Sequence, residues 1–192
     1  MIKLKDAKKI LVGNLKEVAL FCIGEVSTRR LMKRGLIVGL NFNRQQGCFI
    51  DPSHCWLIEI GNNVTFSIRV VVLAHDASTK KILNFTKIGR VTIEDNVFIG
   101  ANSLVLPNVN IGKNSIIGAN SVVSKDIPPD VVAAGNPAKI IYSMDEYIKL
   151  HTRKMESQVA VFDSKYTMTM NVSEIRKKEM IVALKNNIGY IE

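Results

Sequence analysis

A six-residue period of hydrophobic positions runs through the middle of the chain, from Ile60 to Ile127. Each unit opens with an aliphatic or aromatic residue, and asparagine recurs three positions after many of these openers. The openers are Ile60, Phe66, Val72, Ile93, Ile99, Val105, Ile111, Ile117 and Val123, and the asparagines are Asn63, Asn96, Asn102, Asn108, Asn114 and Asn120. A period of six fits neither an α-helix nor a continuous strand, but it fits short strands separated by tight corners. Asparagine tolerates the left-handed backbone that such corners need.

A second set of positions, four residues after the openers, is also small or β-branched. Its members are Val64, Val70, Val97, Val109 and Ile127, together with Ser103, Ser115 and Ser121. Two residues per unit are therefore predicted to face the interior of a narrow prism. The period fails between Ala77 and Thr86, so a loop over residues 77–87 is predicted to leave a corner at this point. A loop on a rigid support is a common place for function.

The segments on either side of the repeat have helical patterns. We predict an N-terminal helical segment over residues 1–35, a β-helix over 36–141 whose first coils are irregular, and a charged helical extension over 142–192. The N-terminal pattern consists of Leu11, Leu15, Val18 and Cys22, with Gly35 as a stop. The fold class is thus mainly β, with helices at both ends.

Composition narrows the class of protein. The chain has 192 residues, 47% of them hydrophobic and few aromatic, which suits one core of Ile and Val. Its most apolar stretch, residues 10–24, contains Lys16 and Glu17, so no transmembrane segment is expected. The three scattered cysteines, Cys22, Cys48 and Cys55, are typical of reduced thiols in a cytoplasmic protein.

The formal net charge of +9 raises the question of a polyanionic partner. The basic residues are concentrated outside the repeat, are interleaved with Asp and Glu, and lack an RNA-binding aromatic signature, so nucleic acid is not expected. Solvated helical surfaces are the simplest explanation. The alternative is attraction of an anionic ligand, which could be a phosphorylated cofactor or an acceptor on an anionic lipid carrier. With a lipid-linked acceptor, the protein could act at the membrane surface as a peripheral protein.

His75 is the leading candidate for catalysis, although a surface histidine tolerated at a turn remains an alternative. It takes the corner slot three residues after Val72 and immediately precedes the predicted loop. An imidazole on a stiff support beside a loop suits a general base at neutral pH. Stacking of the coils is expected either to bring His54 toward His75, where it could contact an acceptor, or to leave it in the core. Asp76 is expected either to orient the imidazole or to leave that to a backbone carbonyl. Trp56 is expected to pack.

The longest ungapped motif carries a family resemblance. The stretches "VVVLAHDASTKK" and "VTIEDNVFIGANSLVLPNVNIGKNSIIGANSVVSKDIPPDVVAAGNPAKII" resemble the hexapeptide-repeat sugar and polysaccharide O-acetyltransferases, a group that includes galactoside and maltose acetyltransferases. The similarity covers residues 60–141, and the upstream "DPSHCWLIEIG" is similar to capsular and lipopolysaccharide-type members. The resemblance implies a left-handed parallel β-helix, a handedness that the spacing itself does not show.

The resemblance also implies roles for particular residues. His75 would be the base in direct transfer from acetyl-CoA to a hydroxyl of a sugar or surface-polysaccharide precursor, and the backbone N–H of Ala101 would meet the developing oxyanion. The residues expected near the cofactor are Ala101, Ala119, Ser124, Lys125, Lys139 and, as a channel wall, Phe98. Lys125 and Lys139 are equally compatible with plain surface lysines. His54 and Asp76 are the candidates for acceptor contact.

The family further implies a homotrimer with each site in a groove between two subunits. Three alternatives remain open: acetylation of an amine on an amino sugar or a xenobiotic, a larger acyl group than acetyl, and a non-catalytic β-helix scaffold. A carbonic anhydrase of this fold class would need three histidines on a metal. Of the three in the chain, His151 falls in the helical tail, so no metal site is predicted.

Overall fold

The computed structural model describes residues 25–157 and 159–192, which divide into two compact units after Met144. Most of the predicted N-terminal helical segment lies outside the described residues. Its described part contains helix α1, Thr28–Lys33, whose N-cap is Ser27 and whose Leu31 is buried.

The first unit is a coil of short parallel strands that form three faces. The first face contains β1 (Ile37–Val38), β4 (Ile58–Ile60), β9 (Val91–Ile93) and β12 (Val109–Ile111). The second face contains β2 (Asn43–Arg44), β5 (Thr65–Phe66), β10 (Phe98–Ile99), β13 (Ile116–Ile117), β15 (Val131–Gly135) and β16 (Ala138–Ser143). The third face contains β3 (Phe49–Ile50), β6 (Val71–Val72), β11 (Leu104–Val105) and β14 (Val122–Val123). The chain visits the faces in this order, once per coil.

The core consists of the two residues per unit that the sequence pattern predicts. All nine openers from Ile60 to Val123 are buried, and so are the eight positions that follow them by four residues. Three of the latter are serines, and their hydroxyl groups bond to backbone carbonyls: Ser103 and Ser121 donate to Gly118, and Ser115 donates to Pro128. Small polar residues therefore fit inside the prism without leaving an unsatisfied group.

The corners between the first and second faces form an asparagine edge. Asn41, Asn63, Asn96, Asn114 and Asp130 all have positive φ, between 55° and 59°. Each side-chain amide donates to the side-chain oxygen of the next residue along the edge, at 2.8–3.1 Å. The repeated asparagine thus serves two purposes, because it adopts the left-handed turn and also links adjacent coils.

The excursion predicted over residues 77–87 leaves the prism between the third and first faces. It is closed at its base by the antiparallel strands β7 (His75–Asp76) and β8 (Lys87–Ile88), and between them lie a 3₁₀ turn, Ala77–Thr79, and helix α2, Lys80–Leu83. The loop is therefore short and internally bonded, for example by Thr79 Oγ1 donating to the carbonyl of Phe85 at 2.7 Å. His75 takes a strand conformation here, unlike the left-handed Asn108 at the same edge one coil later.

The prism ends in a hairpin in which β16 returns antiparallel to β15. The turn contains a cis peptide bond between Asn136 and Pro137. The second unit begins within helix α3, Met144–Glu156, and also contains helix α4, Glu174–Ala183. Two 3₁₀ turns, Ser164–Tyr166 and Met168–Met170, and two paired strands, β17 (Val161–Phe162) and β18 (Tyr190–Ile191), complete it. Within residues 25–157 and 159–192, no helix has the length and hydrophobicity of a membrane span.

Candidate active site

A histidine and a buried aspartate form a close pair at the edge between the third and first faces. Asp51 follows β3 in the first coil, and His75 follows β6 directly above it in the second coil, so the stacking of coils brings them together. The Nδ1 atom of His75 lies 2.5 Å from Oδ2 of Asp51. The aspartate side chain is fully buried, whereas that of His75 is 32% exposed. We call this corner the histidine edge.

The environment of Asp51 keeps its carboxyl group ionised. Burial by itself raises the pKa of Asp51, but hydrogen bonds from His75 and from the backbone N–H groups of Ser53 and Ala74 outweigh it and leave the pKa below its ordinary value. The two backbone bonds measure 3.0 and 3.1 Å. A carboxylate can only accept hydrogen bonds, so Nδ1 of His75 carries the proton and Nε2 of the neutral ring keeps its lone pair. The pair therefore has the tautomer that a general base requires.

His54 is the next ring along this edge. Its centroid lies 5.0 Å from that of His75 and 5.3 Å from that of Trp56. Its Nδ1 atom is buried without a hydrogen-bond partner in the described part of the chain, 4.0 Å from Oδ2 of Asp51. The fold thus brings His54 to the candidate base, one of the two placements that the sequence left open.

These three side chains also bear on the metal question. One potential ligand atom each from Asp51, His54 and His75 lies within 4.8 Å of the others. A carboxylate with two imidazoles is a donor set that suits zinc and related ions. This proximity arises only when the coils stack and is not visible in the spacing of the three histidines, so the absence of a metal stays a prediction.

Asp76 has a partner other than the imidazole. Its carboxylate accepts from the backbone N–H of Ser78 at 2.8 Å and lies 2.6 Å from Nζ of Lys87. Hydrogen bonds, from Lys87 first and then from Ser78, lower the pKa of Asp76 to about 2. In this geometry Asp76 closes the base of the loop, while Asp51 contacts the His75 ring.

The alanines expected near the cofactor lie on a different edge, between the second and third faces. Ala101 and Ala119 occupy the same corner of successive coils, and the N–H of Asn120 donates to the carbonyl of Ala101 at 2.8 Å. We call this corner the alanine edge. Phe98, 43% exposed, lies on the strand leading into it, and Lys139 is paired with Ala134 one coil beyond Ala119. Phe98 therefore does not pack into the core.

The backbone N–H groups in the middle of the corners differ between the two edges. At the asparagine edge, those of Leu40, Asn62 and Lys113 donate to side-chain oxygens of Asn62, Asp95 and Glu94, and that of Asp95 has no acceptor in the described part of the chain. Among the hydrogen bonds of the described residues, none uses the N–H of Ala101 or Ala119. These two donors remain available to a ligand.

Ser124 and Lys125 are exposed at the histidine edge, in the fourth coil. Parallel strands are about 4.8 Å apart, so these residues are roughly 10 Å along the prism from His75. One chain thus separates the predicted residues into two groups. His54, His75, Asp76, Ser124 and Lys125 share the histidine edge, whereas Phe98, Ala101, Ala119 and Lys139 lie at or beside the alanine edge.

Asp51 and the exposed position of Trp56 are the two features of the site that the sequence pattern does not predict. The sequence does contain a signal for Asp51. Ile50 pairs with the opener Val72, so Asp51 aligns with Leu73 of the next coil, close to His75. The first coil lacks the corner asparagine at this edge, so its register was not assigned from sequence. For Trp56, the aromatic character suggested packing, yet 55% of the residue is exposed.

Comparisons with known proteins agree with this architecture. The pattern of the "Bacterial transferase hexapeptide (six repeats)" family matches residues 90–125. The chain is 40% identical to Protein CapG of Staphylococcus aureus over 139 residues, which is 70% of this chain and 75% of CapG. A solved maltose O-acetyltransferase from Clostridium difficile 630 is 38% identical with a TM-score of 0.52, over 57% of this chain and 59% of that one. A hexapeptide-repeat acetyltransferase from Vibrio cholerae, solved in complex with acetyl coenzyme A, is 29% identical with a TM-score of 0.52, over 58% of this chain and 61% of that one.

The chain belongs to the hexapeptide-repeat acetyltransferase family. Its prism is a left-handed parallel β-helix, as predicted, and the protein is an acyltransferase. The chain spans three quarters of CapG but about 60% of each of the two solved structures.

Proposed function

We propose that the protein is an acetyl-CoA-dependent O-acetyltransferase in which His75 is the general base. The observation that carries this proposal is the pair of a partly exposed imidazole and a buried, ionised carboxylate at an open edge of the prism. The Vibrio cholerae relative, solved with acetyl coenzyme A, supports the choice of co-substrate. Because the chain belongs to an acetyltransferase family, a non-catalytic scaffold role is not needed to explain its β-helix.

The reaction is a direct transfer. Nε2 of His75 accepts the proton of an acceptor hydroxyl while the oxygen attacks the thioester carbonyl carbon. The imidazolium that forms is stabilised by the Asp51 carboxylate at Nδ1. When the tetrahedral intermediate collapses, the C–S bond breaks, and the thiolate of CoA takes the proton back from Nε2. No acetyl-enzyme is formed, and the products are the acetyl ester and CoA.

The two edges meet if a second copy is present. In the proposed homotrimer, the histidine edge of one copy faces the alanine edge of its neighbour, and the cofactor lies in the groove between them. The free N–H of Ala101 then stabilises the oxyanion, a contribution of about 3–4 kcal/mol in related chemistry. Ala119 and Phe98 line the pantetheine arm of the cofactor. Ser124, Lys125 and Lys139 surround the phosphate groups of CoA.

Residues 36–141 form the proposed catalytic domain, and residues 1–35 and 142–192 extend it. The acceptor is proposed to be a hydroxyl of a sugar or surface-polysaccharide precursor, which the similarity to a maltose O-acetyltransferase favours. The proximity of His54 to His75 supports a role for His54 in contacting this acceptor. Asp76, which bonds to Ser78 and Lys87, is proposed to act on the loop rather than on the substrate. Because acetyl-CoA is an intracellular metabolite, the proposed reaction occurs in the cytoplasm. A lipid-linked acceptor at the membrane surface remains an alternative to a dissolved one.

A thiol-release assay with acetyl-CoA tests the proposal. Free sugars, nucleotide sugars, lipid-linked oligosaccharides and amino sugars are offered in turn, and the acetylated product is identified by mass spectrometry. We expect ester formation on a sugar hydroxyl, and a loss of turnover in His75→Ala with the acetyl-CoA-induced rise in melting temperature retained. Exclusive amide formation on amino sugars would replace the hydroxyl acceptor with an amine. Unchanged turnover in His75→Ala would overturn the proposed base.

A further inference from the structure

The only tryptophan of the chain lies exposed beside the candidate active site. Trp56 is 55% exposed, and its ring is next to that of His54, at 5.3 Å and an interplanar angle of 48°. His54 in turn is the neighbour of His75, at 5.0 Å and 43°. The three rings therefore belong to one surface, with His54 as the common neighbour of the indole and the candidate base.

Trp56 is held in this exposed position by its surroundings. It is the middle residue of the 3₁₀ turn Cys55–Leu57, in which Cys55 is fully buried and the N–H of Leu57 donates to the carbonyl of His54 at 2.9 Å. Gly35 lies behind it: a Cβ atom at Gly35 would approach Cβ of Trp56 to 2.8 Å. The backbone on both sides of the indole is thus fixed.

Exposure of so large an apolar ring has an energetic consequence. A tryptophan side chain contributes most when its area is buried, and aromatic rings at open sites are common anchors in recognition. Packing against His54 uses only part of the indole, and the rest is exposed. A ligand bound at His75 would therefore find an apolar surface one ring away from the base.

We propose that Trp56 is the stacking platform of the acceptor subsite and that the acceptor is a pyranose. This inference rests on the proposed function and narrows its acceptor class. One face of a pyranose ring presents C–H groups with a small positive charge, which the negative face of an indole attracts. The hydroxyl groups at the ring periphery remain free to reach His54 and Nε2 of His75. An acyclic polyol offers the same hydroxyl groups but no preformed C–H face, so its ordering would oppose binding.

Kinetics of variants at Trp56 test the platform. Full-length protein is assayed with acetyl-CoA and three pyranose probes, methyl α-D-glucopyranoside, methyl β-D-galactopyranoside and N-acetylglucosamine, with mannitol as the acyclic comparator. We expect Trp56→Leu to raise KM for the reactive pyranose by about three- to tenfold. KM for acetyl-CoA and kcat should stay within about twofold, because the indole makes no contact with the reacting atoms. Trp56→Phe, which keeps an aromatic face, should recover most of the affinity.

A supporting role for the His54 ring alone would give a different pattern. In that case Trp56→Leu would lower kcat and leave the acceptor KM unchanged, and this result would overturn the platform. Equal KM values for mannitol and the pyranoses would overturn it as well. Melting temperatures of the variants within a few degrees of wild type establish that the folded proteins are compared.

Fluorescence separates this inference from the proposed function, since Trp56 is the sole source of tryptophan emission. We expect a saturable change in emission with a pyranose probe and none with mannitol. A saturable change without any acetyl transfer would support the platform and refute the proposed reaction. Transfer to a pyranose with unchanged emission at saturation, and unchanged KM in Trp56→Leu, would refute the platform alone. The absence of a change with every pyranose probe would likewise refute it.

Discussion

Replacing Asp51 by asparagine tests how the base is positioned. The substitution keeps the shape of the side chain but removes its charge and turns one acceptor atom into a donor. Oδ2 accepts from both the N–H of Ala74 and Nδ1 of His75, while Oδ1 accepts from the N–H of Ser53. Whichever way the amide is turned, it opposes at least one N–H donor.

The cost follows from these contacts. Loss of the acceptor of one buried N–H group reduces the free energy of unfolding by about 1–3 kcal/mol. For catalysis, the imidazolium loses its counter-charge, and an amide N–H facing Nδ1 favours the tautomer in which Nε2 is protonated. A carboxylate-to-amide change of this kind lowers kcat by up to about 10⁴-fold in hydrolases with a comparable pair. We expect kcat to fall by about 10²- to 10⁴-fold, with KM for acetyl-CoA nearly unchanged.

The assay is steady-state thiol release combined with thermal unfolding. Asp95→Asn provides a matched control, because Asp95 also accepts a backbone N–H, that of Asn62, but lies at the asparagine edge. Its kcat should remain within about threefold of wild type. Wild-type kcat in Asp51→Asn would contradict the proposed positioning of His75.

The pKa of Asp51 gives this variant a second signature. The folded-state pKa is below its ordinary value, so the carboxylate stabilises the fold at pH values above the unfolded pKa, about 3.9, and loses that contribution as pH falls through the folded pKa. Asp51→Asn should therefore be less stable at neutral pH and show a weaker loss of stability on acidification. Parallel stability curves for the two proteins would argue against a lowered pKa of Asp51 in the folded state.

Three further predictions concern the scaffold and the loop. Ile117→Ala, at a fully buried opener, should lower the free energy of unfolding by about 2–5 kcal/mol, whereas the half-buried neighbour Ile116→Ala should cost clearly less, as denaturant titration will measure. Asn96→Ala places alanine in a left-handed conformation and removes two amide hydrogen bonds, so the free energy of unfolding should fall by about 2 kcal/mol or more. Asn96→Gly should recover the part of this loss that comes from the backbone conformation. Since the pKa of Asp76 is lowered to about 2 by hydrogen bonds from Lys87 and Ser78, its contribution to loop closure persists above the unfolded pKa, about 3.9, and is lost as pH falls toward 2. Hydrogen exchange of residues 77–86 should show this dependence in wild type and a weaker one in Lys87→Met, which keeps the hydrogen bonds from Ser78.

The regular part of the fold was accessible from sequence because each unit repeats the same two constraints. The buried positions recur every six residues, and so do the corner asparagines. An uncertain assignment in one unit is therefore settled by the units on either side of it. The first coil does not follow this pattern: Arg44 replaces an apolar opener on the second face, and its guanidinium donates to the carbonyls of Val26 and Cys48. Such a polar substitution is only interpretable once the folded neighbours are known.

The candidate site was partly accessible for the same reason. His75 stood out because it interrupts a regular corner, and its role stays a prediction. Asp51 precedes His75 by 24 residues. This separation reflects a coil that is enlarged by the segment containing Trp56, and a six-residue period does not predict it. The division of the remaining residues between two edges could not be read from sequence either, because the assignment of a corner depends on the number of faces already passed.

The structure of the protein bound to CoA and a non-reactive acceptor analogue tests the central claim most directly. The account predicts that the CoA sulfur lies in a groove between two copies, near Nε2 of His75 from one copy and the N–H of Ala101 from the other. A sulfur atom at an edge without His75, or held by a single chain, would contradict it.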